Sequence, residues 1–283
     1  LPPRIRLRSM VLFTLKQWTP VYRVARKLRF AWGSLLGPRS IDGIPGRVHR
    51  NDTMLSPTDQ YAAQHYNRVG TTVVQILEES IEICNRQWNG LDKVLEVGCN
   101  YGRIVRQLVT KIDPSRVYGC DILEEGINFC AKEFNINALP PTFDEGFPKV
   151  PTFDLVYLLS VFTHMSDSAV TLLLQDIDKS MNPGAVLVFS ANGPISASKV
   201  EKYGSPWIDR KDKIRKAMDE RGSYFEEYSY GANRLGMSWH TKDRIHDIVS
   251  STCRDLQLRK YAPARIDNHQ DIYVFQKTSP PST

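Results

Sequence analysis

The stretch Val94-Leu-Glu-Val-Gly-Cys-Asn-Tyr-Gly-Arg103 decides the fold of this chain. An apolar segment runs into a turn that contains Gly98 and Gly102, and a helix is expected after it. Glycine lets the backbone approach a ligand closely, and the N-terminus of a helix offers free N–H groups. A dinucleotide fingerprint would need glycines where Asn100 and Arg103 stand, so NAD binding is disfavoured. No Gly-Lys-Ser/Thr follows, which excludes a P-loop.

Short apolar runs alternate with helical stretches from this point on. The pattern predicts strands at 93–97, 116–121, 154–159 and 185–191, a weak strand near 138–143, and helices at 103–111, 124–134 and 168–181. Two further strands, at 256–262 and 271–277, have no convincing helix between them and are expected to pair antiparallel. The fold class predicted is α/β, with a Rossmann-like, seven-stranded, mostly parallel sheet, helices on both faces and an antiparallel last strand.

Helical segments also precede and follow this core. Apolar residues at spacings of three and four predict a helix over 59–88, with an interruption at Gly70 as an alternative. Residues 199–221 are polar and charged and predict a helical insertion or lid within 198–240. A helix over 241–251 has Thr241 as its expected N-cap. The predicted organisation is a basic arm and linker at 1–57, the α/β domain at 58–277, and a disordered tail at 278–283.

The charge of the chain is uneven. Residues 1–50 hold eleven Lys/Arg and one acid, which gives them a net charge of +10. Since the whole chain has a net charge of +6, the remaining residues carry −4. This arm either lies on an anionic membrane or a protein partner, or packs its aromatic residues on its own domain. We expect residues 1–50 to be dispensable for cofactor binding and to serve location or delivery of the acceptor, whereas loss of folding on their removal would favour the packed arm. The apolar run Met10–Phe13 is far too short to cross a bilayer, and five scattered cysteines favour a reducing, cytoplasmic location, with the inner face of a membrane as an alternative.

A second feature concerns the ligand. The second strand ends at Asp121, roughly 20 residues after the turn. An acid at this position can accept hydrogen bonds from ribose hydroxyls. A glycine turn and this acid, without the dinucleotide glycines, suggest a nucleoside-type cofactor that lacks a pyrophosphate.

Four segments resemble motifs of the class I S-adenosylmethionine-dependent methyltransferases. They are Glu96–Gly102 (with Asn100 at the central glycine position), Asp121, Phe153-Asp-Leu-Val-Tyr157 and Met181-Asn-Pro-Gly-Ala-Val-Leu-Val188. Three further segments resemble a bacterial subgroup that often accompanies glycosyltransferases in surface-glycan synthesis: Leu159-Ser-Val-Phe-Thr-His164, Cys99–Arg103 and His269-Gln-Asp271. The resemblance implies that residues 58–277 form a methyltransferase domain with S-adenosylmethionine as its cofactor.

The same resemblance implies the cofactor contacts. Glu96 would orient the methionine amino group and Asp121 would bind the ribose. The full expected set is Glu96, Gly98, Cys99, Asn100, Gly102, Arg103, Asp121, Ile122 and Ser160, with Tyr61 and Tyr66 as second-tier contacts from the first helix. No metal site is expected. Asp144 and Asp167 are a minority option for a hard divalent ion, and Asp167 is more simply a favourable charge near a helix N-terminus.

The acceptor is narrowed by elimination. The Asn/Asp-Pro-Pro-Tyr/Phe motif of nucleic-acid amino methyltransferases is missing after the fourth strand, no Pro-Cys nucleophile is present, and the body of the chain is acidic. Nucleic acid is therefore an unlikely partner. An oxygen of a sugar, a glycan or another small polar acceptor is the leading hypothesis. An RNA-directed enzyme that uses the basic arm and a non-catalytic cofactor-binding scaffold are the alternatives.

Transfer to a hydroxyl needs a general base, and a neutral imidazole is suited to that role near neutral pH. His164 lies just past the fourth strand and is the first candidate. His269 is the second, with Asp271 as its partner, and His240 is the third.

Overall fold

A computed structural model describes residues 19–55, 60–139, 151–204, 206–228 and 235–278. Helix α1 (Thr19–Leu36) comes first, followed by the antiparallel pair β1 (Arg39–Ser40) and β2 (Arg47–Val48) and by helix α2 (Gln60–Ile83). Within this described part, no helix is both long enough and apolar enough to cross a bilayer. Residues 1–18 of the predicted arm, Asp144 and most of the predicted tail lie outside the described residues.

The central sheet of the described residues has seven strands, in the order β10-β11-β7-β6-β3-β4-β5. These strands are β3 (Val94–Val97), β4 (Val117–Cys120), β5 (Asn137–Ala138), β6 (Phe153–Leu158), β7 (Met181–Asn192), β10 (Leu256–Ile266) and β11 (Gln270–Lys277). Only β11 runs against the others, because it pairs antiparallel with both β7 and β10, whereas the remaining pairs are parallel. The predicted fold class is confirmed, and the weak strand near 138–143 is described only as the short β5.

Helices cover both faces of this sheet. Helices α2, α3 (Val105–Leu108) and α4 (Glu124–Phe134) lie on one face, and α5 (Asp167–Lys179) and α8 (Lys242–Thr252) lie on the other. Two more helices, α6 (Pro194–Ser198) and α7 (Lys211–Arg221), belong to the insertion between β7 and α8. One apolar cluster joins α2, α3 and α4 to one face of the sheet, and a second cluster joins α5 and α8 to the other face. The predicted cap is confirmed, since the Thr241 hydroxyl accepts a hydrogen bond from the backbone N–H of Arg244.

Helix α2 is not interrupted at Gly70, as the alternative interpretation allowed. A Cβ added at Gly70 would lie 2.5 Å from the carbonyl oxygen of Arg103. The glycine therefore serves close packing between α2 and the backbone that leads into α3, and it does not mark a break. The sequence pattern cannot distinguish these two uses of a glycine.

The insertion between β7 and α8 is more than the helical lid that the sequence suggested. It contains α6, α7 and an antiparallel hairpin of β8 (Ser223–Glu227) and β9 (Gly236–His240). Its own apolar core includes Trp207, Met218 and Trp239. The Asn192 amide, at the end of β7, donates to the carbonyl of Ser238 at 3.0 Å, which joins the insertion to the carboxyl edge of the sheet.

Candidate functional site

The glycine turn after β3 has the backbone conformation that its sequence implied. Gly98 has a φ of +82°, and its N–H donates to the carbonyl of Cys120 at 2.8 Å. A Cβ at Gly98 would lie 2.5 Å from Val161 Cγ2, so no larger residue fits here without a shift. Asn100, at the position of the missing central glycine, has a φ of +47°. Asparagine tolerates this left-handed region better than most residues, so the substitution keeps the shape of the turn.

Asp121 joins this turn to the next one. One carboxylate oxygen accepts the Asn100 N–H at 2.7 Å, and the other accepts the Leu123 N–H at 2.8 Å. Burial raises the pKa of Asp121, and these two backbone bonds oppose the rise. Each carboxylate oxygen can accept more than one hydrogen bond, so capacity remains for the hydroxyls of a ligand. Asp121 thus sets the backbone of both turns and stays able to bind.

Two neighbouring features fit a nucleoside. The side-chain oxygen of Asn100 is buried and has no hydrogen-bond partner, which is unusual for a buried polar atom and leaves an acceptor for a ligand. Ile122, directly after Asp121, is 50% exposed although it is apolar. An exposed apolar side chain beside Asp121 offers a face on which an adenine ring can lie. The residues present therefore fit the predicted cofactor.

Glu96 lies near the end of β3, directly before the turn, and Cys99 lies within the turn. Glu96 is almost fully buried, and Tyr157 donates to its carboxylate at 2.7 Å. Burial raises the pKa of Glu96 to about 7, against the opposing effect of the Tyr157 bond and the Arg103 charge. Such a carboxylate gains most when a cationic amino group comes within reach. The backbone N–H of Cys99 donates to Cys120, so it is used inside the fold rather than toward a ligand.

The two tyrosines of α2 differ from one another. Tyr61 is 78% exposed. Tyr66 is fully buried among Ile44, Val48 and Leu55, and its hydroxyl donates to Asp52 at 2.7 Å. In this conformation Tyr66 contacts the N-terminal segment instead of the cleft, which corrects its expected role as a cofactor contact. The burial of Tyr66 could not be predicted from the sequence, because no pattern in the predicted linker indicates that it packs on α2.

Residues 39–55, which we call the clasp, pack directly on the glycine turn. The His49 ring stacks on Tyr101, and the Asn51 amide donates to Glu125 at 2.9 Å. The Tyr101 hydroxyl donates to the same carboxylate oxygen, Glu125 Oε2, at 2.5 Å. Burial alone would raise the pKa of Glu125, but hydrogen bonds from Ser34, Tyr101 and Asn51 outweigh it and lower that pKa.

Arg106 also holds the clasp to the glycine turn. Its guanidinium is buried and donates to the carbonyls of Tyr101 and Gly102 in the turn, and to those of Pro45 and Arg47 in the clasp. The clasp lies within residues 33–57, whose content of Gly, Pro, Ser and Asp predicts a linker. Its contacts argue against the expectation that the whole of residues 1–50 is dispensable for cofactor binding.

His164, the first candidate base, lies at the carboxyl edge of β6. Its Nδ1 is 2.7 Å from the Tyr228 hydroxyl and 3.1 Å from the Gly236 carbonyl oxygen, both from the insertion. Burial lowers the pKa of His164, and the Gly236 contact opposes this. The imidazole is therefore neutral near pH 7.

His240 is not positioned as a base. It is fully buried, and its Nε2 lies 2.9 Å from Asp167, which also accepts from Arg244 and Ser223. Burial alone would raise the pKa of Asp167, but the bonds from His240 and Arg244 lower it. This buried network joins β9, α5 and α8, which is a structural role.

Asp271 does not partner His269. Its two carboxylate oxygens accept from the Tyr261 hydroxyl at 2.7 Å and the Ala264 N–H at 2.8 Å, which fixes the bend of the β10–β11 hairpin. His269 instead contacts the Asp267 carbonyl at 3.2 Å and the ring of Tyr203 in the insertion. His269 thus stays near the carboxyl edge without the carboxylate that the sequence had suggested.

Ser160 holds an unfavourable backbone conformation, with a φ of +61°. Its N–H donates to Ser190 Oγ at 2.7 Å, and its hydroxyl donates to Gln270 at 3.0 Å. Ser190 also donates to Gln270, so three strand ends meet here. Sequence reasoning included Ser160 but missed Ser190 and Tyr228, which no motif marks, and Gln270, which stands inside the quoted His269-Gln-Asp271 segment but was assigned no role.

The comparisons with known proteins agree with this geometry. Residues 95–187 match a family described as "Methyltransferase domain". A fatty-acid O-methyltransferase of Mycolicibacterium smegmatis is 27% identical over 179 residues, which are 61% of this chain and 60% of that protein. The aligned region therefore spans less than two thirds of this curated relative.

Solved structures share the fold at low identity. A protein from Pyrococcus horikoshii superposes with a TM-score of 0.54 at 16% identity, over 80% of this chain and 95% of that one. Magnesium protoporphyrin IX methyltransferase from Synechocystis, with bound S-adenosylhomocysteine, gives a TM-score of 0.52 at 14% identity, over 79% and 90%. These structures show the Rossmann-like fold, and residues 95–187 are similar to the methyltransferase-domain family.

Proposed function

We propose that this protein transfers the methyl group of S-adenosylmethionine to an oxygen atom of a small polar acceptor, such as a sugar or glycan hydroxyl. The observation that carries the proposal is the Asp121 carboxylate, which bridges the N–H groups of Asn100 and Leu123 beside the exposed Ile122. Glu96 lies near the end of β3, just before the turn that carries the unpartnered Asn100 oxygen. The name of the mycobacterial relative supports oxygen as the acceptor atom.

The roles of the residues follow from their chemistry. Asp121 binds the ribose hydroxyls, Ile122 supports the adenine, and the ionised Glu96 orients the methionine amino group. When bound, S-adenosylmethionine supplies an electrophilic methyl group on a sulfonium. The turn residues would hold the cofactor at the carboxyl edge of the sheet, where orientation of the methyl group toward the acceptor would favour transfer.

His164 takes the proton of a hydroxyl acceptor. A carbonyl oxygen can only accept, so the contact with Gly236 favours the tautomer that carries its hydrogen on Nδ1. Nε2 is then the basic nitrogen. Its lowered pKa keeps it unprotonated at neutral pH, ready to receive the proton as the new carbon–oxygen bond forms.

Calorimetry with S-adenosylhomocysteine tests the cofactor site. Asp121→Asn should weaken binding by about tenfold, because a charged acceptor of ribose hydrogen bonds becomes a neutral one. Ile122→Asp should weaken it similarly and leave the fold intact, since its side chain is half exposed. Leu172→Asp, at an exposed apolar position on α5, is the matched control. Unchanged affinity in both site variants would refute the proposed cofactor site.

The acceptor is tested by offering two chemical classes to the same variants. A sugar hydroxyl needs a base and should lose its turnover in His164→Ala. A fatty-acid carboxylate is already ionised near neutral pH and should be methylated equally well by wild type and variant. Turnover on the carboxylate alone would replace the glycan hypothesis with the chemistry named for the mycobacterial relative.

A further inference from the structure

Helix α1 carries an apolar stripe that no described residue covers. It consists of Val24, Leu28, Trp32, Leu35 and Leu36, whose exposed fractions lie between 56% and 78%. These are five of the twelve large hydrophobic residues exposed in the described part of the chain, and no other element carries more than two of the remaining seven. The spacings of four, four, three and one residue place all five on one side of the helix.

The opposite side of α1 is attached to the domain. Gly33 is buried against the Asn51 side chain, and the Asn51 amide donates to the carbonyl of Phe30 at 2.9 Å. The Ser34 hydroxyl donates to the Glu125 carboxylate. At about 3.6 residues per turn, Phe30 and Gly33 lie roughly half a turn from Leu28. The stripe therefore faces away from the domain.

Basic side chains border the stripe on both sides. Lys27 and Arg29 are exposed and lie about 100° from Leu28 in opposite directions. The first 50 residues carry a net charge of +10. A helix with a narrow apolar face and flanking cations is the pattern of segments that lie in the plane of an anionic bilayer surface. A second copy of this chain is a poorer occupant, because stripe-to-stripe packing would bring like charges together.

We propose that α1 docks on an anionic phospholipid bilayer, with its stripe at the boundary between headgroups and acyl chains. Ser34 and Asn51 bond to Glu125, which also binds Tyr101 of the glycine turn. Docking of α1 would therefore hold the glycine turn, at the carboxyl edge of the sheet, close to the lipid surface. The docking proposal does not depend on the proposed reaction and can fail or succeed apart from it.

The test is co-sedimentation of the full chain with vesicles of phosphatidylcholine and phosphatidylglycerol, and with vesicles of phosphatidylcholine alone. We expect binding to the anionic vesicles and about tenfold weaker partitioning for Leu28→Ser combined with Leu35→Ser. Leu172→Ser combined with Ile208→Ser removes two exposed apolar side chains elsewhere and should bind like wild type.

The charge contribution is tested in the same assay. Lys27→Glu combined with Arg29→Glu should weaken binding by about tenfold or more, whereas Arg215→Glu with Lys216→Glu on α7 should not. The proposal is overturned if the wild-type chain ignores anionic vesicles, or if the stripe variant binds them as wild type does. A dimer in light scattering that the stripe variant abolishes would also overturn it, because the stripe would then be a self-association surface.

Discussion

The ring of His49 stacks face to face on that of Tyr101, with centroids 4.8 Å apart and planes 4° from parallel. The contact joins the clasp to the glycine turn across more than fifty intervening positions. His49 is also largely buried, and burial lowers its pKa against the charges of Glu125 and Asp52. The ring therefore acts as a neutral, packed aromatic surface near pH 7.

The first prediction concerns this stack. His49→Ala should lower the free energy of unfolding by about 2 kcal/mol, because a buried aromatic contact is lost. It should also weaken S-adenosylhomocysteine binding by about three- to tenfold, since the turn loses its cover. Urea unfolding and calorimetry measure the two effects. Arg50→Ala, at the exposed neighbouring position, is the control, and equal behaviour of the two variants would show that the stack does not support the turn.

The second prediction is that Glu96→Gln changes stability and binding in opposite directions. Burial raises the pKa of Glu96 from 4.5 to about 7, so its favourable contribution is full below pH 4.5 and is lost as the pH rises through 7. Glutamine avoids that loss and can still accept from Tyr157. At pH 8 the cofactor-free variant should be more stable by about 3 kcal/mol, and the gain should vanish near pH 5.

Cofactor affinity should move the other way. The variant cannot offer a carboxylate to the methionine amino group, so binding at pH 8 should weaken by about 10- to 100-fold. Thermal unfolding across pH and calorimetry at pH 8 measure the pair of effects. Glu82→Gln, on the exposed side of α2, should change neither quantity. A loss of stability at pH 8 would contradict the assigned ionisation of Glu96.

The third prediction compares two glycines. Gly70→Ala should destabilise the protein by about 1–3 kcal/mol, because the added methyl group meets the Arg103 carbonyl and pushes α2 from α3. Gly90→Ala should be nearly neutral, since nothing lies within 4 Å of a Cβ there. Chemical unfolding of the two variants gives the comparison. Equal stabilities would mean that α2 and α3 can separate freely.

The fourth prediction separates two histidines. His164→Ala should lower turnover on a hydroxyl acceptor by about 100- to 10,000-fold with little change in cofactor affinity. His240→Ala should instead lower the melting temperature, because Asp167 loses a buried partner. Wild-type turnover should rise with pH through an apparent pKa below about 6.5, since burial lowers the pKa of His164. Full turnover by His164→Ala would show that the base lies elsewhere.

The sequence patterns predicted most strands and helices of the sheet because these signals depend only on residues that are neighbours in the chain. The bounds of α4, the Thr241 cap and the turn at Gly98 follow from periodicity, capping chemistry and glycine spacing. Asp271 shows where this reasoning ends. Its side chain could face either side of the sheet, and a shift of one residue in strand pairing exchanges the two. Pairing with Ala191 and the bend at Ala264 direct it into the hairpin.

The clasp could not be predicted for a different reason. His49, Asn51 and Arg106 act across long sequence separations, and each residue taken alone has an ordinary local explanation. The hairpin of β8 and β9 escaped prediction because its partner strands are short and polar on one side.

The insertion between β7 and α8 has a consequence for how such a protein can diversify. Its apolar core, built on Trp207, Met218 and Trp239, is separate from the two clusters that hold the sheet together. Under the proposed function, substitutions in that core reshape the cover of the acceptor site without touching Asp121 or Glu96. Related chains can then differ in their acceptor through residues 194–240 alone, with the residues proposed to bind the methyl donor left unchanged.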